Sequence, residues 1–249
     1  MKAWPYPLWV AHRGAGKLAP ENTLAAFRVG AGHGYRAFEC DVKLSADGVL
    51  FLLHDATLER TTSGQGTAGA QHWGALSLLD AGGWHSRAFA GEPLPSLNGI
   101  AAYCQRNGFA LNIEIKPTPG FETPTGRAVG LEATRLWAGQ AMPPLLSSFS
   151  PEALQGALDT ASHLPRALLL DSLREGWFEQ AQALGCVAVV TAFSLMDAKL
   201  IAQLHGAGLR ALVYTVNDPH EAQRLVALGI DGLITDAVDR FSPGSSVFA

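Results

Sequence analysis

Nine short apolar runs punctuate the chain, and helical stretches fill most of the gaps between them. The runs are Leu8–His12, Ala37–Val42, Val49–His54, Ala110–Ile115, Pro144–Phe149, Arg166–Leu170, Val187–Thr191, Arg210–Val216 and Gly232–Thr235. Several are continuous Val/Ile/Leu segments, the pattern of strands buried on both faces. The helices carry start signals. Pro20-Glu21-Asn22-Thr23 opens one that ends near Gly34, and Ser150-Pro151 opens another with proline at a tolerated first position. Ser194 precedes a third. Asp218-Pro219-His220-Glu221 resembles a capping box, and its helix stops at Gly229. Strand alternating with helix means a parallel α/β architecture.

One connection breaks the alternation. Only residues 43–48 separate Val42 from Val49, whereas a parallel crossover needs about a dozen residues. Asp47-Gly48 is a hairpin turn signal. Val49–His54 is therefore expected antiparallel beside Ala37–Val42, which leaves eight strands in βα register. Eight such units in 249 residues is the size of a TIM (β/α)8 barrel. A doubly wound sheet, the other parallel architecture, rarely needs eight regular units. Residues 56 to about 98 hold no strand and no long periodic helix, but do contain Thr61–Gly66 and Asp80–Trp84. A long irregular stretch in a compact domain is usually functional. It is expected to cap the barrel mouth as an insertion within a single domain, 1–249.

Composition excludes several classes. With 48% hydrophobic and 16% charged residues the chain cannot be disordered. Lys plus Arg is 18 and Asp plus Glu is 22, a net charge of −4, which argues against nucleic acid as a partner. At first sight it also argues against an anionic substrate. Cys40, Cys104 and Cys186 form no CxxC pair, so buried free thiols in a reducing cytosol are expected. The N-terminal MKAWPYPLWVAHRG shows no secretory signal, and runs such as Val187–Val190 are far short of a membrane span. The expectation is a cytoplasmic protein without stable membrane association.

In a TIM barrel the active site lies at the C-terminal strand ends. The first such end reads His12-Arg13-Gly14, which a capped turn would also explain. The second reads Glu39-Cys40-Asp41. Residues i and i+2 of a strand share a face, so both carboxylates point one way and Cys40 the other. Two adjacent acids repel unless a cation lies between them or one is protonated, and two oxygen donors suit a hard ion such as Mg²⁺ or Ca²⁺. A turn centred near Asp47-Gly48 puts residue 54 across from about residue 40, which brings His54 beside the acids unless it is an ordinary core histidine. Glu114-Ile115-Lys116-Pro117 again pairs i with i+2, now with opposite signs. That is a local ion pair or, in the same barrel mouth, a third metal ligand and a phosphate contact. Tyr214–Asn217 and Thr235-Asp236 add polar groups at the rim, read as shape and hydrogen bonding. Two histidines beside a hard metal suit general acid and base work on a phosphodiester.

The motifs resemble those of glycerophosphodiester phosphodiesterases. HRG at 12–14, PENT at 20–23, ExDV at 39–42, HDxTLxRTT at 54–62, LDAGxW at 79–84 and EIKP at 114–117 carry the resemblance. It continues through SSF at 147–149, YTVN at 214–217 and DGLITD at 231–236, in order over about residues 8 to 238. The resemblance implies a TIM barrel of the phospholipase-C-like phosphodiesterase type, with its insertion after the HD motif. It implies metal-dependent hydrolysis of small glycerophosphodiesters, such as glycerophosphocholine or glycerophosphoethanolamine, to sn-glycerol 3-phosphate and an alcohol. Glu39, Asp41 and Glu114 match the family's ligands to one divalent ion, Mg²⁺ or Ca²⁺. His12 and His54 match its acid–base pair, and Arg13 and Lys116 its phosphate-binding residues. The family is described as using the glycerol 2-hydroxyl as internal nucleophile, which gives a cyclic phosphate that water opens. A related activity on lysophospholipids would need a large apolar entrance. Trp73, Trp84 and Phe89 could line one or form the insertion's own small core.

The implied site reverses the first impression from net charge. Three carboxylates give −3, Arg13 and Lys116 give +2 and a divalent ion +2, leaving +1 to receive a phosphodiester of −1.

Overall fold

The computed structural model describes residues 4–241 and 243. Its strands are β1 (Trp9–Ala11), β2 (Ala37–Leu44), β3 (Leu50–Leu52), β4 (Ala110–Ile115) and β5 (Leu145–Ser148). They continue with β6 (Arg166–Leu170), β7 (Ala188–Ala192), β8 (Arg210–Tyr214) and β9 (Gly232–Thr235). All except β3 pair in parallel, and β9 pairs back onto β1, so eight strands close into a TIM barrel. Closure removes the doubly wound alternative. The hairpin is present too. β3 runs antiparallel to the far end of β2, with Leu44 opposite Leu50 and Val42 opposite Leu52.

Helices cover the barrel: α1 (Leu24–Gly32), the short α2 (Trp73–Leu76), α3 (Leu97–Asn107), α4 (Glu122–Leu136), α5 (Pro151–Thr160), α6 (Trp177–Ala183), α7 (Ala198–Gly206) and α8 (Pro219–Ala227). Thr23, Ser150 and Asp218 are caps, as their sequences indicate: each side chain accepts from a backbone N–H in the following turn. The helix expected after Ser194 starts later. Ser194 sits inside a single tight turn, Phe193–Leu195, and the cap of α7 is Asp197, whose carboxylate accepts from Leu200 N at 2.8 Å. Among the described residues no helix follows β9, so the eighth unit lacks its helix there.

Strand alternation sorts side chains into two cores. Val10, Ala37, Ala110, Leu145, Leu169, Val190, Leu212 and Ile234 fill the barrel, and Trp4 and Tyr6 pack against its base. Ala11, Phe38, Cys40, Ile113 and Leu168 face outward into the larger layer under the helices. Between β3 and α3 the insertion has its own core of Phe51, Leu53, Leu58, Ala68, Leu76, Ala81 and Leu94. Trp73 packs into it against Phe51. Trp84 and Phe89 instead flank His85.

Candidate active site

Several strands turn their inward-facing positions from apolar to polar as they reach the barrel mouth. On β2 the change comes at Glu39, on β4 at Asn112, and register sets Asp41 opposite Glu114. Glu39, Asp41 and Glu114 are 2%, 1% and 7% exposed, and each offers an oxygen within 4.8 Å of the others. Burial, then the Asp41 charge, pushes Glu39 up to about 8 and Glu114 up to about 6. Asp41 is buried as well, yet the charges of Arg13 and Lys116 hold it below the usual carboxylate range.

Two residues fasten this trio to the loop after β1. Asn22 donates Nδ2 to Asp41 Oδ2 at 2.8 Å and accepts from Asp41 N at 3.0 Å. The Arg13 amide donates to Glu39 Oε2 at 3.0 Å. Arg13 and Asn22 both hold positive φ, 50° and 59°, a conformation costly for a non-glycine residue and found where function fixes the backbone. Gly16 lets the same loop rest on the last strand: a Cβ there would lie 2.1 Å from Asp236 O. Glu39 Oε1 is buried with no hydrogen-bond partner. Three converging carboxylates, one oxygen of them unsatisfied, are the donor set of a hard divalent cation.

His12 and His54 reach the same cavity from two different strand ends. His12 Nδ1 lies 2.6 Å from Asp236 Oδ1, which leaves Nε2 facing the acids, 3.8 Å from Glu39 Oε2. Burial alone would lower His12, but the Asp236 hydrogen bond and the Glu39 charge outweigh it, and its pKa is raised. Asp236 is held in turn by Asn217, whose Nδ2 donates to Oδ2 at 3.2 Å. His54 follows β3, and the observed register extrapolates to place it opposite Cys40, as the turn position indicated. Its Nδ1 lies 2.7 Å from Asp55 Oδ1. Burial lowers His54, and the Asp41 charge does not restore it.

The cations are already paired. Lys116 Nζ bonds Glu114 Oε1, so the ion pair that the EIKP spacing allows is present, and it also lies 3.5 Å from Asp41 Oδ1. It sits over the Phe149 ring, 5.3 Å from the centroid. Arg13 Nη1 donates to Glu21 Oε1 at 2.8 Å, and its Nε is 3.2 Å from Asp41 Oδ2. Lys43, 1% exposed, donates to the Lys116 carbonyl at 3.1 Å, and burial pulls it down to about 8. All seven residues singled out in the sequence thus gather at one mouth, and all of them but Asp41 wall a cavity of about 190 Å³ together with Phe149, Leu169 and Tyr214.

Other members of the mouth were given no role from sequence. Glu21 and Asn22 lie in the PENT motif, and Asp55 and Arg60 in HDxTLxRTT, so the motifs marked them without saying what they do. Asp236 and Asn217 were noted only as polar rim. Nothing in sequence marked Lys43.

Residues 12–240 match the description "Glycerophosphoryl diester phosphodiesterase family". The chain belongs to the glycerophosphoryl diester phosphodiesterase family. It is accordingly an enzyme of the phosphoric diester hydrolase class. A glycerophosphodiester phosphodiesterase of Caldanaerobacter subterraneus subsp. tengcongensis is 31% identical, over 92% of this chain and 93% of its own. An Oleispira antarctica phosphodiesterase, solved with the product sn-glycerol-3-phosphate, is 31% identical with a TM-score of 0.87, covering 94% of this chain and 95% of that one. The Agrobacterium tumefaciens glycerophosphodiester phosphodiesterase structure is 29% identical with a TM-score of 0.80, covering 95% and 99%. Family members are generally metal-dependent, and among the described residues the buried acidic trio could hold an ion. Among the described residues no helix is long and apolar enough to cross a membrane.

Proposed function

We propose that this chain hydrolyses small glycerophosphodiesters, glycerophosphocholine and glycerophosphoethanolamine among them, to sn-glycerol 3-phosphate and the free alcohol. On this reading it acts in the cytoplasm as one domain, 1–249, with residues 56–98 as its cap. The observation that carries the reading is two oppositely shifted histidines in one cavity beside a buried acidic trio. Glu39, Asp41 and Glu114 hold one divalent ion, Mg²⁺ or Ca²⁺. When bound, that ion neutralises charge on the phosphoryl oxygens. Arg13 and Lys116 bind the phosphate.

The two histidines divide the proton work. His54, favoured neutral, takes the proton of the glycerol 2-hydroxyl as its oxygen attacks phosphorus. His12, favoured charged, gives its proton to the departing alcohol oxygen as the P–O bond breaks. Intramolecular attack removes the entropy cost of bringing a nucleophile to the phosphorus. In the second step the roles reverse: His12 takes a proton from water, which opens the cyclic phosphate, and His54 returns one to the 2-hydroxyl. Asp236 and Asp55, each on an Nδ1, hold the tautomers that leave Nε2 free for these transfers.

A lysophospholipid substrate is not favoured. Trp73, Trp84 and Phe89 are not among the residues lining the cavity, and the larger cleft that shares Phe149 is lined by Glu122, Glu152, Arg174, Glu175 and Gln180. An acyl chain would find charged groups there. The test is release of glycerol 3-phosphate over a panel of head groups, with EDTA and with Mg²⁺ or Ca²⁺ restored. Activity that survives the chelator in full removes the metal role. Faster turnover on monoacyl than on deacylated substrates removes the substrate assignment.

A further inference from the structure

One guanidinium in the insertion grips two carboxylates. Arg60 Nε and Nη2 reach Asp55 Oδ2 and Oδ1 at 2.5 and 2.9 Å. Its Nη1 and Nη2 reach Glu21 Oε2 and Oε1 at 2.9 and 2.8 Å. Each carboxylate holds a different member of the site. Asp55 Oδ1 lies on His54 Nδ1 at 2.7 Å, and Glu21 Oε1 accepts from Arg13 Nη1 at 2.8 Å. His54 follows β3 and Arg13 follows β1, so Arg60 is the bridge between two separate strand ends.

We propose that Arg60 is a positioning residue that fixes His54 and Arg13 relative to one another through Asp55 and Glu21. The proposal rests on the roles given to those two residues under the proposed function. Arg60, Arg13, Asp55 and Glu21 carry two charges of each sign, so the cluster adds no net charge to the mouth. What it adds is geometry. The planar fork of a guanidinium can serve two carboxylates bidentately, and an ammonium cannot. The Arg60 side chain is 45% exposed, so burial does not force these contacts, and exposed ion pairs contribute little to stability. His54 is faced by Asp55 beside it, Asp41 from β2, Arg13 from the β1 loop and Lys116 beyond β4. Of these, Asp55 alone touches its Nδ1, and Arg60 is the largest influence holding Asp55 charged.

The test compares R60A, R60K and a control, R135A, which removes an exposed arginine whose recorded partner is Glu132, three residues away. Three readouts are taken: kcat and KM on glycerophosphocholine, thermal melting, and the His54 imidazole titration by NMR. R60A is expected to lose about 10- to 100-fold in kcat through displaced catalytic geometry, with any rise in KM from a displaced Arg13 smaller than that loss. The His54 midpoint should move to higher pH, because Asp55 keeps its charge and loses its partner. In R60K the midpoint should stay near wild type while kcat remains low, since charge is restored without the fork. Melting of R60A should match that of R135A. A raised KM at unchanged kcat would make Arg60 a substrate contact and overturn the proposal. So would full recovery of kcat in R60K, or an unmoved kcat and His54 titration in R60A. If the wild-type protein releases no glycerol 3-phosphate, the functional reading fails. The His54 titration still decides the Arg60 linkage by itself.

Discussion

Replacing Asp236 with Asn separates charge from shape at His12. The native carboxylate lies on His12 Nδ1 at 2.6 Å through Oδ1 and accepts from Asn217 Nδ2 at 3.2 Å through Oδ2. Asn217 cannot turn over to adapt. Its Oδ1 already accepts from Asp236 N at 2.9 Å and from Thr235 Oγ1 at 3.1 Å. An amide at 236 must therefore aim its NH₂ at Asn217, donor against donor, or at His12, which forces the proton onto Nε2. Either orientation loses one hydrogen bond to a charged group, worth about 1.5–3 kcal/mol, so kcat/KM should fall by roughly 10- to 100-fold. The pH profile carries the sign. His12 must hold a proton to act as acid, and Asp236 is the largest influence raising its pKa, against burial that lowers it. In D236N the alkaline limb of activity should therefore move to lower pH. The acid limb belongs to His54, whose pKa is lowered first by burial, and should stay in place. The assay is coupled glycerol 3-phosphate release across about pH 5 to 9, the range in which histidines titrate. On an H12A background D236N should cost little more, because both act through one imidazole. An unmoved alkaline limb, or equal losses with and without His12, would refute the reasoning.

In the metal-free protein Glu39 stands at about 8 against an ordinary 4.5, so its contribution to stability is complete below pH 4.5 and lost as pH rises through 8. Melting in EDTA should accordingly be lower at pH 8 than at pH 6, and added Mg²⁺ or Ca²⁺ should restore it most at pH 8. E39Q should raise the metal-free melting point at pH 8 and remove that metal response, which calorimetry with and without chelator reads directly. G16A sets a Cβ 2.1 Å from Asp236 O on a backbone with φ +56°, and should lose ~2 kcal/mol or more, measured by denaturant unfolding. Activity should fall with it, since the same loop carries His12 and Arg13.

What sequence made legible follows from short-range rules. Period-two alternation paired Glu39 with Asp41 and Glu114 with Lys116, because a strand leaves no choice of face. The turn at Asp47-Gly48 fixed where His54 falls, since hairpin register follows from turn position. Long-range partners were not legible in this way. Asp236 meets His12 across 224 positions because β9 closes onto β1, and closure follows from the whole count of strands, not from any local pattern. Arg60 escaped for a different reason. Nothing in an irregular insertion dictates a direction, and only the folded position of the small core around Leu58 and Leu76 sends Arg60 toward Asp55 and Glu21. The misplaced start of α7 is a smaller case. Ser194 and Asp197 are both good caps, and propensity does not choose between them.

The charges of the mouth explain why an acidic protein can receive an anion. Lys116 and Arg13 are the groups proposed to bind phosphate, yet each is paired with carboxylates of the mouth: Lys116 with Glu114, Arg13 with Glu21 and, through Nε, close to Asp41. They lie there because three buried acids with no other positive charge would be far costlier than two ion pairs. A divalent ion held by Glu39, Asp41 and Glu114 would take over that neutralising task. Lys116 would then be freed from Glu114, and it already sits over Phe149 at the cavity where the proposed phosphoryl group would lie. On the proposed function, metal and phosphate should therefore bind with positive coupling, each raising the affinity of the other by the same factor. On the proposed function, such a barrel would keep its acids paired in the absence of the ion and become a cationic receptor when the ion is bound. The net charge of −4 is thus a property of the whole chain, while on the proposed function affinity for a phosphodiester would depend on which partner occupies three carboxylates at the strand ends.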